Sequence, residues 1–114
     1  MAMRIPIALV AAAVLQAHAE APAGDAIRGK ALFMQDMCYT CHGTAGQGGD
    51  RGSGPRIAPS VFPWEGFERQ VRHPREQMPR YSGKFVSDAD LADIYAYLAA
   101  RPASKGEALP ALLR

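Results

Sequence analysis

Cys38-Tyr39-Thr40-Cys41-His42 is the stretch on which the reading of this chain turns. It has the C-x-x-C-H form, which reads as an attachment site for a c-type haem. Two thiols three positions apart can each add to a haem vinyl group. The next residue then offers an imidazole to the iron from the same short turn. Other uses of the pair compete. A thioredoxin-like redox pair belongs with a βαβ pattern, and no β-branched strand runs alternate with helices here. A zinc site wants two more Cys or His ligands at suitable spacing. The remaining histidines are His18 and His73, and there is no third cysteine. A disulfide between Cys38 and Cys41 would close a tiny loop, which gains little entropically.

Upstream of the motif, Asp25 can N-cap a first helix running to about Asp36. Ile27, Ala31, Leu32 and Phe33 give that helix an apolar side, interrupted by Gly29. Glycine costs about 1 kcal/mol in a helix interior, a cost that makes sense if another helix must approach closely. Downstream, 43–59 reads as a loop, with Gly at 43, 46, 48, 49, 52 and 54, then Pro55 and Pro59. A loop that follows a bound cofactor must wrap it, and glycine permits close backbone approach. Trp64, Phe67 and Val71 recur at helical spacing, so Trp64 to Arg72 reads as a short helix ended by Pro74. Arg75 to Tyr81 has no periodicity. Ser87 and Asp90 form a capping-box-like start to a last helix. Its stripe is Leu91, Ile94, Tyr95 and Leu98, and Pro102 stops it. The tail from Ala103 to Arg114 reads as irregular.

The N-terminal end reads as a secretory signal over residues 1–19. Arg4 is its positive charge, Ile5 to Leu15 is apolar apart from Pro6, and Ala17-His18-Ala19 is an A-x-A-like cleavage site. The run falls short of the ~20 apolar residues that span a bilayer, so no membrane span is expected after cleavage. The alternative is an uncleaved interfacial anchor or a buried N-terminal helix. Cleavage would leave one domain over residues 20–114. A domain of that size is marginally able to bury its own core, and a covalently held haem would add a large apolar body. The whole chain carries a formal +2, which gives no case for a nucleic-acid partner. Arg69, Arg72, Arg75, Arg80 and Lys84 crowd one stretch, and Asp88, Asp90 and Asp93 the next. Ordinary solvated charge is one reading; a basic docking face for an acidic redox partner is the other.

If His42 supplies one axial iron ligand, a second must come from the opposite haem face. Candidates are Met34, Met37, His73 and Met78. Met34 and Met37 lie just before the motif and read as core filler or surface. His73 sits at a helix end. Met78 lies 36 residues after His42, far enough for the chain to cross to the distal face. Pro79 biases it toward an extended backbone, from which a thioether can point inward.

At this point the chain resembles the class I, monohaem bacterial cytochromes c, with His/Met ligation. The resemblance covers essentially the whole of residues 20–114. It rests on Gly29 and Phe33, on Cys38-Tyr39-Thr40-Cys41-His42-Gly43, on Gly54-Pro55-Arg56-Ile57, on Met78-Pro79 and on the final helix to Leu98. Phe33 stands five residues before Cys38, one more than the commonest spacing in that family. The resemblance implies an all-α, small cytochrome c fold of three to four helices around one covalently attached haem c. It implies that the first and last helices cross at Gly29, facing Ile94 to Leu98. It implies thioether bonds from Cys38 and Cys41, axial ligands His42 and Met78, and a Pro55 carbonyl accepting from the His42 Nδ1–H. Ile57, Trp64 and Tyr81 would line the haem pocket, with Arg56 or Trp64 near a propionate.

The function implied is periplasmic electron transfer, Fe(III)/Fe(II), with no substrate and no enzymatic activity. Partners would be redox proteins such as a periplasmic dehydrogenase and a terminal oxidase or reductase. Alternatives are an obligate cytochrome subunit of a periplasmic dehydrogenase, a haem enzyme or gas sensor with a labile distal Met, and thiol–disulfide exchange.

Overall fold

The computed structural model describes residues 20–49, 53–59 and 62–101, and the leader and tail readings lie outside them. Four helices occur among the described residues: α1 (Ala26–Gln35), α2 (Tyr39–His42), α3 (Trp64–Arg72) and α4 (Asp88–Ala100). No described residue is in a strand, so the fold is all-α, as a small cytochrome c fold requires.

Local chemistry sets the helix ends. The Asp25 carboxylate accepts from the backbone N–H of Ile27 and of Arg28, at 2.9 and 3.1 Å, capping α1. Ser87 and Asp90 complete the capping box of α4, with Asp90 N–H donating to Ser87 Oγ at 3.1 Å. Arg101 leaves α4 in an extended conformation, as suits the residue before Pro102.

The C-terminus of α1 carries the turn that presents the motif. Met37 takes φ 62, a left-handed conformation usually filled by glycine. Its N–H donates to Met34 O at 3.2 Å, and the Cys38 N–H to Phe33 O at 3.1 Å. This is a Schellman motif, with a methionine at the left-handed position. The five-residue spacing from Phe33 to Cys38 is the span of its outer bond.

α1 and α4 cross in direct backbone contact. A Cβ at Gly29 would land on the Asp93 carbonyl, with Ile94 N only 3.0 Å away. The crossing therefore lies at Asp93 and Ile94, at the N-terminal edge of the expected Ile94–Leu98 stripe. Any side chain at 29 would push the helices apart. Around the crossing, Leu32 and Phe33 of α1 and Leu91, Ile94, Tyr97 and Leu98 of α4 are buried, with Phe33 fully so. The Phe33 and Tyr97 rings lie 5.6 Å apart, tilted by 58°.

Part of the acidic and basic stretches is built into the fold, while Arg69, Arg75, Arg80 and Lys84 are exposed. Asp93 is buried and accepts from the Asp25 N–H at 2.7 Å and from Arg28 Nη1. Arg28 also reaches Asp90 at 2.7 Å. Arg72, which the sequence offers as solvated charge or as part of a docking face, turns inward. Its guanidinium donates to Val86 O at 2.7 Å, Tyr81 O at 3.2 Å and Asp88 at 2.8 Å. It ties α3 to the chain entering α4, and its side chain is only 14% exposed.

Candidate haem-binding site

The motif follows the Schellman turn without a spacer. α2 is a single turn in which Cys38 O accepts from His42 N–H at 3.1 Å, and Tyr39 O from Gly43 N–H at 2.9 Å. Cys38 and His42 come onto the same wall of one cavity by this winding. Both cysteines are free and half-buried.

That cavity is a cleft open to solvent, and the empty space it spans, open solvent included, is about 390 Å³. Phe33, Ile57, Phe67, Val71, Val86, Leu91, Ile94 and Leu98 give it apolar walls from α1, the glycine-rich loop, α3 and α4. Cys38, His42, Met78 and Tyr81 complete the lining. Such a site is apolar with a few placed polar or ligating groups, as suits a planar hydrophobic cofactor.

His42 is held from behind. Its Nδ1 lies 2.8 Å from the Pro55 carbonyl oxygen. A carbonyl only accepts, so Nδ1 carries the proton and Nε2 of the neutral ring keeps its lone pair. A metal-ligating histidine needs that tautomer. The loop carrying Pro55 is pressed onto the motif: a Cβ at Gly54 would stand 2.6 Å from Cys41 O. Gly54 therefore lets the 43–59 loop lie against the motif's own backbone. The loop is pinned further by Gly46 O, which accepts from Ile57 and Ala58 N–H at 2.8 and 3.0 Å.

Of the four distal candidates, Met78 lines the cavity. Met34 is half-buried against the core, Met37 is exposed at the Schellman turn, and His73 is the exposed C-cap of α3; none of these three lines it. Tyr81 lines the cavity while its hydroxyl donates to Asp36 O at 3.0 Å. Burial, more than the neighbouring sulfurs and Asp36, holds its phenol above the usual range, so it stays a neutral donor. Ile57 lines the cavity, and Pro55 stands behind His42. Trp64, expected in the pocket, does not line it. Trp64 packs edge-on to Tyr95 at 5.4 Å and against Phe67 at 6.0 Å, and Phe67 forms the wall in its place. Arg56 is exposed.

The chemistry of the donors suits haem better than its rivals. Burial, with the Asp36 charge adding to it, pushes the Cys38 thiol up to about 11. A thiol used in exchange has its pKa lowered instead. Among the described residues no three His, Cys, Asp or Glu side chains come together to hold a metal ion. An apolar cavity lined by the Cys38 thiol, the His42 imidazole and the Met78 thioether fits a tethered haem; Cys41, the residue before His42, is half-buried and does not itself line the cavity.

Sequence reasoning passed over Gln70. Its amide N donates to Met78 Sδ at 3.6 Å. A polar residue on a charged helix gave no signal of that contact.

Comparison with known proteins gives one match. A family model described as cytochrome C oxidase, cbb3-type, subunit III matches residues 24–98. No curated protein and no solved structure matches the chain. The matched span runs from the residue before the α1 cap to Leu98, and so contains the whole cavity.

Proposed function

The chain belongs to the cytochrome c family of the cbb3-type oxidase subunit III kind, and from that membership we propose that it is a periplasmic, monohaem electron-transfer protein. A member of this family works with haem and with redox partners. The finer reading is one haem c, tethered by Cys38 and Cys41 and ligated by His42 and Met78. The observation that carries it is the convergence of Cys38, His42 and Met78 on one apolar cavity, with His42 fixed by Pro55.

The bound haem would supply one-electron chemistry, Fe(III) to Fe(II) and back, at a potential raised by neutral thioether ligation. The chain's own residues would do the rest. Pro55 orients the His42 ring and keeps Nε2 available. The walls from Phe33 to Leu98 exclude water and lower the local dielectric, which favours the less charged ferrous state. Two protein ligands leave no position for a small-molecule substrate, so the reading is a carrier and not an enzyme. Export is supported by the leader-like residues 1–19 in the sequence. No described helix is long and apolar enough to cross a membrane. The partners would be a periplasmic dehydrogenase on one side and a terminal oxidase or reductase on the other.

A second reading keeps the chemistry and makes the partner permanent: a cytochrome subunit of a larger complex. The family description, which names an oxidase subunit, favours keeping it. Co-purification at stoichiometric yield with a dehydrogenase or oxidase would support this reading; recovery as a lone monomer supports the diffusing carrier. Ligation is tested by the near-infrared charge-transfer band of Met–Fe(III). The band is expected in the wild type and lost in Met78→Ala. A wild-type protein without it, binding carbon monoxide readily, would point instead to a gas sensor or haem enzyme.

A further inference from the structure

Gln70 sits two residues from the end of α3, half-buried, with its amide folded against the ligand loop. Its Oε1 accepts from the Arg75 N–H at 3.4 Å, and its Nε2 donates to Arg75 O at 3.3 Å. This two-point pairing fixes which end of the amide faces which way. Turning the amide over would set two oxygens, and two N–H groups, against each other. The NH₂ therefore faces Met78 Sδ, 3.6 Å away. Thioether sulfur only accepts, and a second lone pair remains when one is given to a metal. The turn that Gln70 holds includes Glu76 at φ 62, a left-handed residue two places before Met78.

We propose that Gln70 is the positioning residue of the Met78 thioether: it anchors the 75–78 turn through the Arg75 backbone and donates a hydrogen bond to the sulfur. This rests on Met78 being the distal ligand. The donated bond draws electron density from the sulfur and weakens it as a donor, most of all toward the electron-poor ferric iron. The clamp also holds the loop against ligand exchange. Both effects act through Met78; Gln70 itself does not line the cavity.

The test is Gln70→Leu, similar in length but without a donor, in the haem-loaded protein. The expected result is a lower reduction potential, because the sulfur becomes a stronger donor to ferric iron, with the Met–Fe(III) band present. Loss of the two Arg75 bonds that hold the loop outweighs that gain for ligand exchange, so added imidazole displaces Met78 at a concentration roughly fivefold lower, a net worth of one ordinary hydrogen bond. A wild-type potential and imidazole titration, whatever the melting temperature does, overturn the proposal. If Gln70→Leu does not fold, hydrogen exchange of the glutamine side chains in the wild type decides. The Gln70 NH₂ should exchange more slowly than those of exposed Gln35 and Gln77, and equal rates would refute the bond. A wild type lacking the Met–Fe(III) band removes the ligand reading and this inference together, whereas a band that ignores Gln70→Leu removes this inference alone.

Discussion

Replacing Gly29 with alanine tests the helix crossing that builds one wall of the cavity. Considered locally, the change should help, since alanine is favoured over glycine by about 1 kcal/mol in a helix interior. The surroundings reverse the sign. The new Cβ would fall on the Asp93 carbonyl, with Ile94 N at 3.0 Å. Those obstacles are backbone, and no side-chain tip can swing aside. Overpacking of this kind costs about 1–3 kcal/mol, and a backbone obstacle belongs at the top of that range. Moving α4 away would also stretch the Asp25–Asp93 bond, now 2.7 Å. The net expectation is a loss of about 2 kcal/mol, or a fall of roughly 8–16 °C in melting temperature for a domain this small. Gly66 is the internal control. It lies in α3 with nothing within 4 Å of its would-be Cβ, so Gly66→Ala should gain up to about 1 kcal/mol. Urea unfolding of the haem-loaded proteins, followed by far-UV circular dichroism, reads both variants. Equal stabilities for the two would refute the close crossing.

Arg72→Met should cost about 2 kcal/mol by leaving the Val86 carbonyl without its donor. Asp88→Asn, at the exposed end of the same network, should cost under about 1 kcal/mol; if the two losses match, Arg72 is a surface charge after all. Asp93 gives a pH prediction. The Asp25 amide first, and Arg28 second, hold its carboxyl below the ordinary 3.8. A folded-state pKa below the unfolded one means its stabilisation is present above 3.8 and lost as pH falls through the folded value. Asp93→Asn should be less stable at neutral pH, and its unfolding curve should converge on the wild type in acid. Parallel curves down to about pH 2 would contradict the assignment.

Much of the fold was legible because its signals are local. Asp25, Ser87 with Asp90, and Pro74 mark helix ends through bonds or clashes within a few residues, and α1, α3 and α4 stand where they place them. The chemistry of C-x-x-C-H is equally local. What stayed hidden depends on partners far away in the chain. Asp93 looked like one of three solvated acids until α1 supplied the Asp25 amide, 68 residues earlier. Arg72 looked like a solvated or docking charge because nothing near it in sequence announces the Val86 carbonyl. Trp64 has the size and position of a pocket residue, yet the rotation of α3 turns Phe67 inward and Trp64 toward Tyr95. The Met37 turn was missed because a left-handed methionine carries no sequence mark, whereas glycine there would have.

The account stands or falls on a haem held by Cys38 and Cys41. The direct measurement is the intact mass of the purified protein under denaturing conditions, after expression with the haem-attachment machinery. The account predicts one haem's mass added to the chain, with its visible absorption retained, and loss of both in a Cys38→Ala, Cys41→Ala double variant. A wild-type chain at its bare mass, or two thiols that titrate as free, would contradict it.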